Sequence, residues 1–152
     1  MFLRNFTPSK YFGELKIMYK TELEIKIPFY DVDVMNIVWH GNYIKYLEQA
    51  RCDLFEKLGY TYMDMKNDGY TYPIAKMSTK YIRPVSFDEI IVVKTHLKEI
   101  EPAIIMDYVI YSKKTKEKIF KAKSLMIGVD IATKKSIYKA PFRLIKALEN
   151  KK

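Results

Sequence analysis

The chain of 152 residues is poor in the residues that hold metals and make cross-links. It has one cysteine, Cys52, and two histidines, His40 and His96. A single cysteine excludes an intramolecular disulfide and fits a reducing, cytoplasmic compartment. One cysteine and two histidines far apart in sequence argue against a zinc site. No run reaches the roughly 20 apolar residues that a membrane-spanning helix needs, so no membrane span is expected. The first residues, MFLRNFTPSKYFGELKIMYK, lack a continuous apolar segment, and no signal peptide is read there. No internal repeat or low-complexity tract occurs. Zinc-finger spacing, a helix-turn-helix signal and an RNP-type aromatic motif are also missing, so nucleic acid is not an expected partner.

What is present suits a packed core. Hydrophobic residues make up 49% and charged residues 30%, which excludes a disordered chain and fits one domain of ordinary size over 1–152. The formal net charge is +9. Such a surface suits a phosphate-bearing ligand, or serves only solubility. The lysines are scattered, with one dense cluster from Lys113 to Lys118 that reads as a hairpin turn.

Residues 1–17 show no period and are expected to form a flexible extension that the fold does not need. From Thr21 to Phe29 apolar and polar residues alternate, which predicts a half-buried strand ended by Pro28. Between Asn42 and Leu58 the period becomes helical. Ile44, Leu47, Arg51, Leu54 and Leu58 follow 3, 4, 3, 4 spacing, and Gly59 supplies a stop. Four strands are then expected at Tyr72–Arg83, Glu89–Ile100, Ala103–Ser112 and Lys118–Asp130, joined by short connections that make neighbours antiparallel. Pro141 opens a short last helix carrying Phe142, Leu144, Ile145 and Leu148. Strand, long apolar helix and four strands describe an α+β architecture with the sheet covering the helix.

The chemistry concentrates in FYDVDVMNIVWHGNYIKYLEQAR, from Phe29 to Arg51. Asp31 and Asp33 stand where the first strand ends. Trp39, His40 and Gly41 lead into the helix. A carboxylate near a helix start is a useful pairing. It can act as base or nucleophile, while free N–H groups hold a carbonyl oxygen that gains charge. Asp33, nearer the loop, is the candidate catalytic carboxylate, and Asp31 is read as structural. His40 offers a side chain and, with Gly41, backbone N–H groups. Tyr43 either lines a pocket or packs, and Trp39 is an apolar wall. Glu48 and Arg51 share a helix face, which reads first as a buried ion pair, with Glu48 as a second candidate carboxylate for the chemistry.

These residues carry a resemblance. Tyr30-Asp31-Val32-Asp33, Ile37-Val38-Trp39-His40, Asn42-Tyr43 and Glu48-Gln49-Ala50-Arg51 resemble the hotdog-fold thioesterases. The similar group contains 4-hydroxybenzoyl-CoA thioesterase and the Tol-Pal-associated acyl-CoA thioesterases. Tyr81-Ile82-Arg83-Pro84 and Asp88-Glu89 look like that family's later strand-end motif. The resemblance covers roughly Thr21 to Asp130. It implies a five-stranded antiparallel sheet wrapped around one long helix, and hydrolysis of an acyl-CoA or acyl-carrier-protein thioester by Asp33. It further implies a homodimer or homotetramer with the site at the interface, no metal, and no cofactor beyond coenzyme A as part of the substrate. Arg83, Lys80 and the lysines of the last two strands are candidates for the phosphates of the thiol arm. Two rivals remain open: a hotdog dehydratase or hydratase acting on acyl thioesters, with His40 and a helix carboxylate as its acid/base pair, and a non-catalytic acyl-thioester-binding module. The family has glycine after its second Asp, whereas Val34-Met35-Asn36 stands here. Asn36 is the residue of these three best able to adopt the left-handed conformation.

Overall fold

A computed structural model describes residues 19–151. The expected extension at 1–17 lies outside the described residues. The chain runs β1 (Tyr19–Lys26), a 3-10 turn (Phe29–Asp31), α1 (Asn42–Leu58), α2 (Tyr62–Asn67), β2 (Tyr70–Thr71) and β3 (Ile74–Tyr81). It continues through β4 (Ile90–Glu99), β5 (Ile104–Ser112), β6 (Lys118–Met126), β7 (Gly128–Asp130), β8 (Ser136–Ile137) and α3 (Phe142–Glu149). Five strands form one sheet in the order β1-β4-β5-β6-β3, and every pair in it is antiparallel. A smaller sheet has the order β2-β7-β8.

Helix α1 lies against the large sheet. Its buried residues include Tyr43, Tyr46, Leu47, Ala50, Leu54, Phe55 and Leu58. They meet sheet residues such as Ile91, Val93, Met106, Ile110 and Phe120 in one apolar cluster. Full burial of side chains of this size contributes roughly 1.5–3 kcal/mol each, so this contact dominates the fold. The helix ends as its sequence requires: Gly59 has φ +84, and its N–H donates to the carbonyls of Phe55 and Glu56. The antiparallel sheet around one long helix is the architecture that the sequence predicts.

Several details differ. Ile44, placed by spacing on the apolar face, is 40% exposed, because the buried stripe runs through Tyr43 and Tyr46 instead. The strand predicted at Tyr72–Arg83 is β3 alone, starting at Ile74 after Pro73, which has no N–H to offer, and the short β2 lies before the predicted start. The strand predicted at Lys118–Asp130 divides opposite that point: Ile127 donates to Pro73 O (3.3 Å), and β7 leaves for the small sheet. Helix α2 falls in a stretch that the sequence reading left without an element. Thr61 and Asp64 cap it reciprocally, Asp64 N–H donating to Thr61 Oγ1 (3.2 Å) and Thr61 N–H to Asp64 Oδ2 (2.8 Å). On α3, Leu144 is buried while Phe142 stands exposed.

The order of strands matters most for the site. Short connections suggested four successive neighbours. Only β4, β5 and β6 form such a meander, and β3 crosses to the far side to pair with β6. Strand β3 is therefore an edge, and most of its residues are exposed. The segment between β3 and β4 is sewn to the chain around α1: Val38 N–H donates to Val85 O (2.8 Å), Ile27 N–H to Glu89 O (2.9 Å), and Ile37 bridges Ser86. Among the described residues no helix is long and apolar enough to cross a membrane.

Candidate active site

Pro28 ends β1, and the chain turns through Phe29–Asp31 into a small hairpin. Val32 bridges Val38, Asp33 N–H donates to Ile37 O (2.9 Å), and Asn36 N–H donates to Asp33 O (2.9 Å). Asn36 has φ 60, the left-handed conformation a tight turn needs and asparagine tolerates. The family's glycine is thus replaced without loss of the turn.

The two aspartates have different surroundings. Asp31 is only 3% exposed. Its Oδ2 accepts from Tyr46 Oη (2.7 Å), and Lys45 Nζ forms a close ion pair with Oδ1. Its carbonyl accepts from Asn42 Nδ2 (2.8 Å) and Trp39 N–H (3.0 Å). Burial, then the hydrogen bond to Asp31, pushes the Tyr46 hydroxyl above the ordinary tyrosine range. Asp31 therefore pins the hairpin to the first turns of α1. Asp33 stands exposed near the hairpin tip, its Oδ1 accepting from Met35 N–H (2.8 Å). Asp31→Ala is expected to leave the buried Tyr46 hydroxyl without an acceptor, at about 1–3 kcal/mol. Differential scanning calorimetry should show this as a Tm lower by roughly 3–10 °C.

Gly41 occupies the N-cap of α1 and supplies no capping side chain. Asn42 N–H turns back to Trp39 O (2.9 Å), while the N–H groups of His40 and Gly41 have no backbone partner among the described residues. A serine or aspartate at the cap would compete for donors at this helix start. The Trp39 indole lies directly over Gly41: a Cβ there would stand 2.1 Å from Trp39 Cζ3. Any other residue would push the indole away. The His40 ring tilts against Trp39 at 4.9 Å between centroids, and its carbonyl accepts from Tyr81 Oη (2.8 Å). No hydrogen bond joins His40 to the Asp33 carboxylate among the described residues.

The other candidates are placed as follows. Tyr43 is 3% exposed and stacks on Phe120, with Tyr81 edge-on to both rings. Arg83 does not stand free for a phosphate. It donates to Pro84 O (2.7 Å) and pairs with Glu89 (2.7 Å) and Glu117 (3.4 Å). Burial pushes the Glu89 carboxyl up, but the Arg83 hydrogen bond and Ser86 N–H outweigh it and hold the pKa below the usual range. Glu48 is exposed while its partner Arg51 is buried. Arg51 leaves Nε and one terminal nitrogen without partners. Lys80 lies on the outer face of the sheet.

Sequence reasoning missed Tyr81, Lys45 and Tyr46. The sequence shows Tyr81 only as part of a strand-end motif, and its contact with the His40 carbonyl comes from the crossing of β3 over the sheet. Lys45 and Tyr46 carried a faint signal, as polar groups in the first turns of a helix that follows an aspartate pair.

A family model described as the Thioesterase-like superfamily matches residues 27–147. A Bacillus subtilis protein named "Putative acyl-CoA thioesterase YneP" is 32% identical over 82 residues, which is 54% of this chain and 59% of that protein. The chloroplastic acyl-acyl carrier protein thioesterase ATL3 of Arabidopsis thaliana is 24% identical over 110 residues, 72% of this chain and 58% of that protein. The matches thus span little more than half the length of these curated relatives. Among solved structures, a DHNA-CoA thioesterase from Staphylococcus aureus superposes with a TM-score of 0.77 at 27% identity, covering 87% of this chain and 89% of that one. Together with the sheet wrapped around α1, these matches make the chain a hotdog-fold member of the Thioesterase-like superfamily.

Proposed function

We propose that the chain hydrolyses an acyl thioester of coenzyme A or of an acyl carrier protein, releasing a free acid and a thiol. The observation that carries this reading is the uncapped start of α1. Two N–H groups without backbone partners follow an exposed carboxylate in one short hairpin. Those donors suit an oxygen that gains charge, and losing one such donor typically costs about 10²–10³ in rate. The related proteins named as thioesterases support the same chemistry.

In this reading the thioester carbonyl lies against the N–H groups of His40 and Gly41, beside the Trp39 indole. Asp33 acts by one of two routes. As a base it takes a proton from water, whose oxygen adds to the carbonyl carbon. As a nucleophile its oxygen adds instead, giving a mixed anhydride that water then opens. In both routes the C–S bond breaks and the thiolate leaves to take up a proton. Neither route needs a metal or a redox cofactor, and coenzyme A enters only as part of the substrate. The His40 side chain is available to place the water.

The proposal includes a homodimer, with tetramers as pairs of dimers, acting in the cytoplasm. The open edge at β3 and the exposed Phe29, Tyr30, Val34, Met35, Trp39 and Phe87 around the hairpin support a covered surface there. The test is release of free thiol from a panel of aliphatic and aromatic acyl thioesters, on coenzyme A and on carrier protein. Hydrolysis of at least one class supports the reading. Binding without thiol release across the panel would refute it.

A further inference from the structure

The outer face of the large sheet is divided by charge. On its β1–β4 side most lysines are matched: Lys94 pairs with Glu22 (3.1 Å), Lys113 with Glu24 (2.8 Å) and Lys26 with Asp88 (3.0 Å), while Lys20 makes no ion pair among the described residues. On the β6–β3 side they are not. Lys76, Lys80, Lys118, Lys121 and Lys123 are all exposed, and none makes an ion pair among the described residues. Lys80 stands directly opposite Lys121 in the register, an arrangement of like charges that destabilises a sheet. The one acid among them, Asp107, is shared with Lys98 at 3.9 Å. Lys80, Lys118, Lys121 and Lys123 line a shallow depression of about 380 Å³.

We propose that this lysine face is a docking surface for an acidic protein, presented as a helix with carboxylates along one side. The inference does not depend on hydrolysis. Spacing favours this partner. Neighbouring strands lie about 4.8 Å apart and alternate residues on a strand about 6.6 Å apart. Carboxylates three or four residues apart on a helix are about 5–6 Å apart. Other polyanions fit less well. Lysines here are point charges without the arginine fork that grips a single phosphate. The two tyrosines at this face are taken up: Tyr108, in the depression, is buried, and Tyr111, opposite Lys118, holds its ring against Lys94 (5.1 Å), so neither is offered to a base or a lipid interface. A second copy of this chain would present the same unpaired lysines, so like charge opposes the pairing of this face with itself.

The test uses the full chain and a labelled helical peptide with glutamates on one face, read by fluorescence anisotropy. A peptide of the same composition with its glutamates spread around the helix is the comparison. Lys76→Glu/Lys121→Glu should weaken the one-faced peptide about tenfold or more, as reversal at a charged contact does. The same variant should keep or raise Tm, because the new carboxylate at position 121 faces Lys80. Lys135→Glu/Lys139→Glu, with the same change in net charge, should leave binding within about threefold. Equal loss in both variants, or equal binding of both peptides, would overturn the proposal in favour of unspecific charge. Phosphatidylglycerol vesicles that bind through the same lysines more tightly than the peptide would overturn it in favour of a membrane. Self-association lost in the lysine variant would overturn it in favour of a second copy.

Discussion

Asp33→Asn should remove nearly all thioester hydrolysis and leave the fold unchanged. An asparagine amide has the same size as the carboxylate, but it is neither a base nor an effective nucleophile. A positioned base or nucleophile of this kind contributes about 10²–10⁴ in rate. The loss should fall on kcat, since the substitution leaves the N–H groups of His40 and Gly41 and the Trp39 wall, the proposed binding elements, unchanged. Stability should hardly move, because Asp33 is exposed and, among the described residues, its side chain accepts only from Met35 N–H in its own turn. Steady-state thiol release and a thermal melt measure both. A variant within threefold of the parent kcat would sink the assignment of Asp33. Asp31→Ala gives the opposite pattern, with a lower Tm first, so the pair separates chemistry from architecture.

That contrast shows what the sequence holds and what it hides. Helix α1 was legible to the residue, because its apolar period is long and Gly59 must break it. The left-handed turn at Asn36 was legible too, since few other residue types accept that conformation. Different roles for Asp31 and Asp33 were proposed from the family resemblance and from position, and the structure gives them different surroundings, one buried and one exposed. The crossing of β3 was not legible. Nothing in the connection from Ile82 to Glu89 says that the strand before it lies four places away from β1. The small sheet was hidden because strands of two or three residues have no period to read. Arg83 looked free in the sequence, because its partners lie six and 34 residues away and meet it only when the sheet is built.

The crossing of β3 leads to the second large effect. Strand β3 ends the sheet with an unpaired edge, and the apolar residues Ile44, Ile82 and Phe87 are exposed. A symmetric partner would cover both with one self-complementary contact. Ile44→Glu/Phe87→Glu changes two exposed side chains, so each chain alone should fold within about 0.5 kcal/mol of the parent per site. In a dimer the same two charges are buried without partners, at several kcal/mol each. Sedimentation at micromolar protein should therefore show the parent as a dimer or tetramer and the variant as a monomer. If the site is shared across that contact, thiol release should fall with the assembly by about 10²-fold or more, since misplacing the reacting groups by an ångström costs that much. Raising the variant's concentration until it reassembles should restore activity, which a misfolded chain would not do. A monomer with the parent's full activity would refute the shared site and leave each hairpin and helix start to work alone.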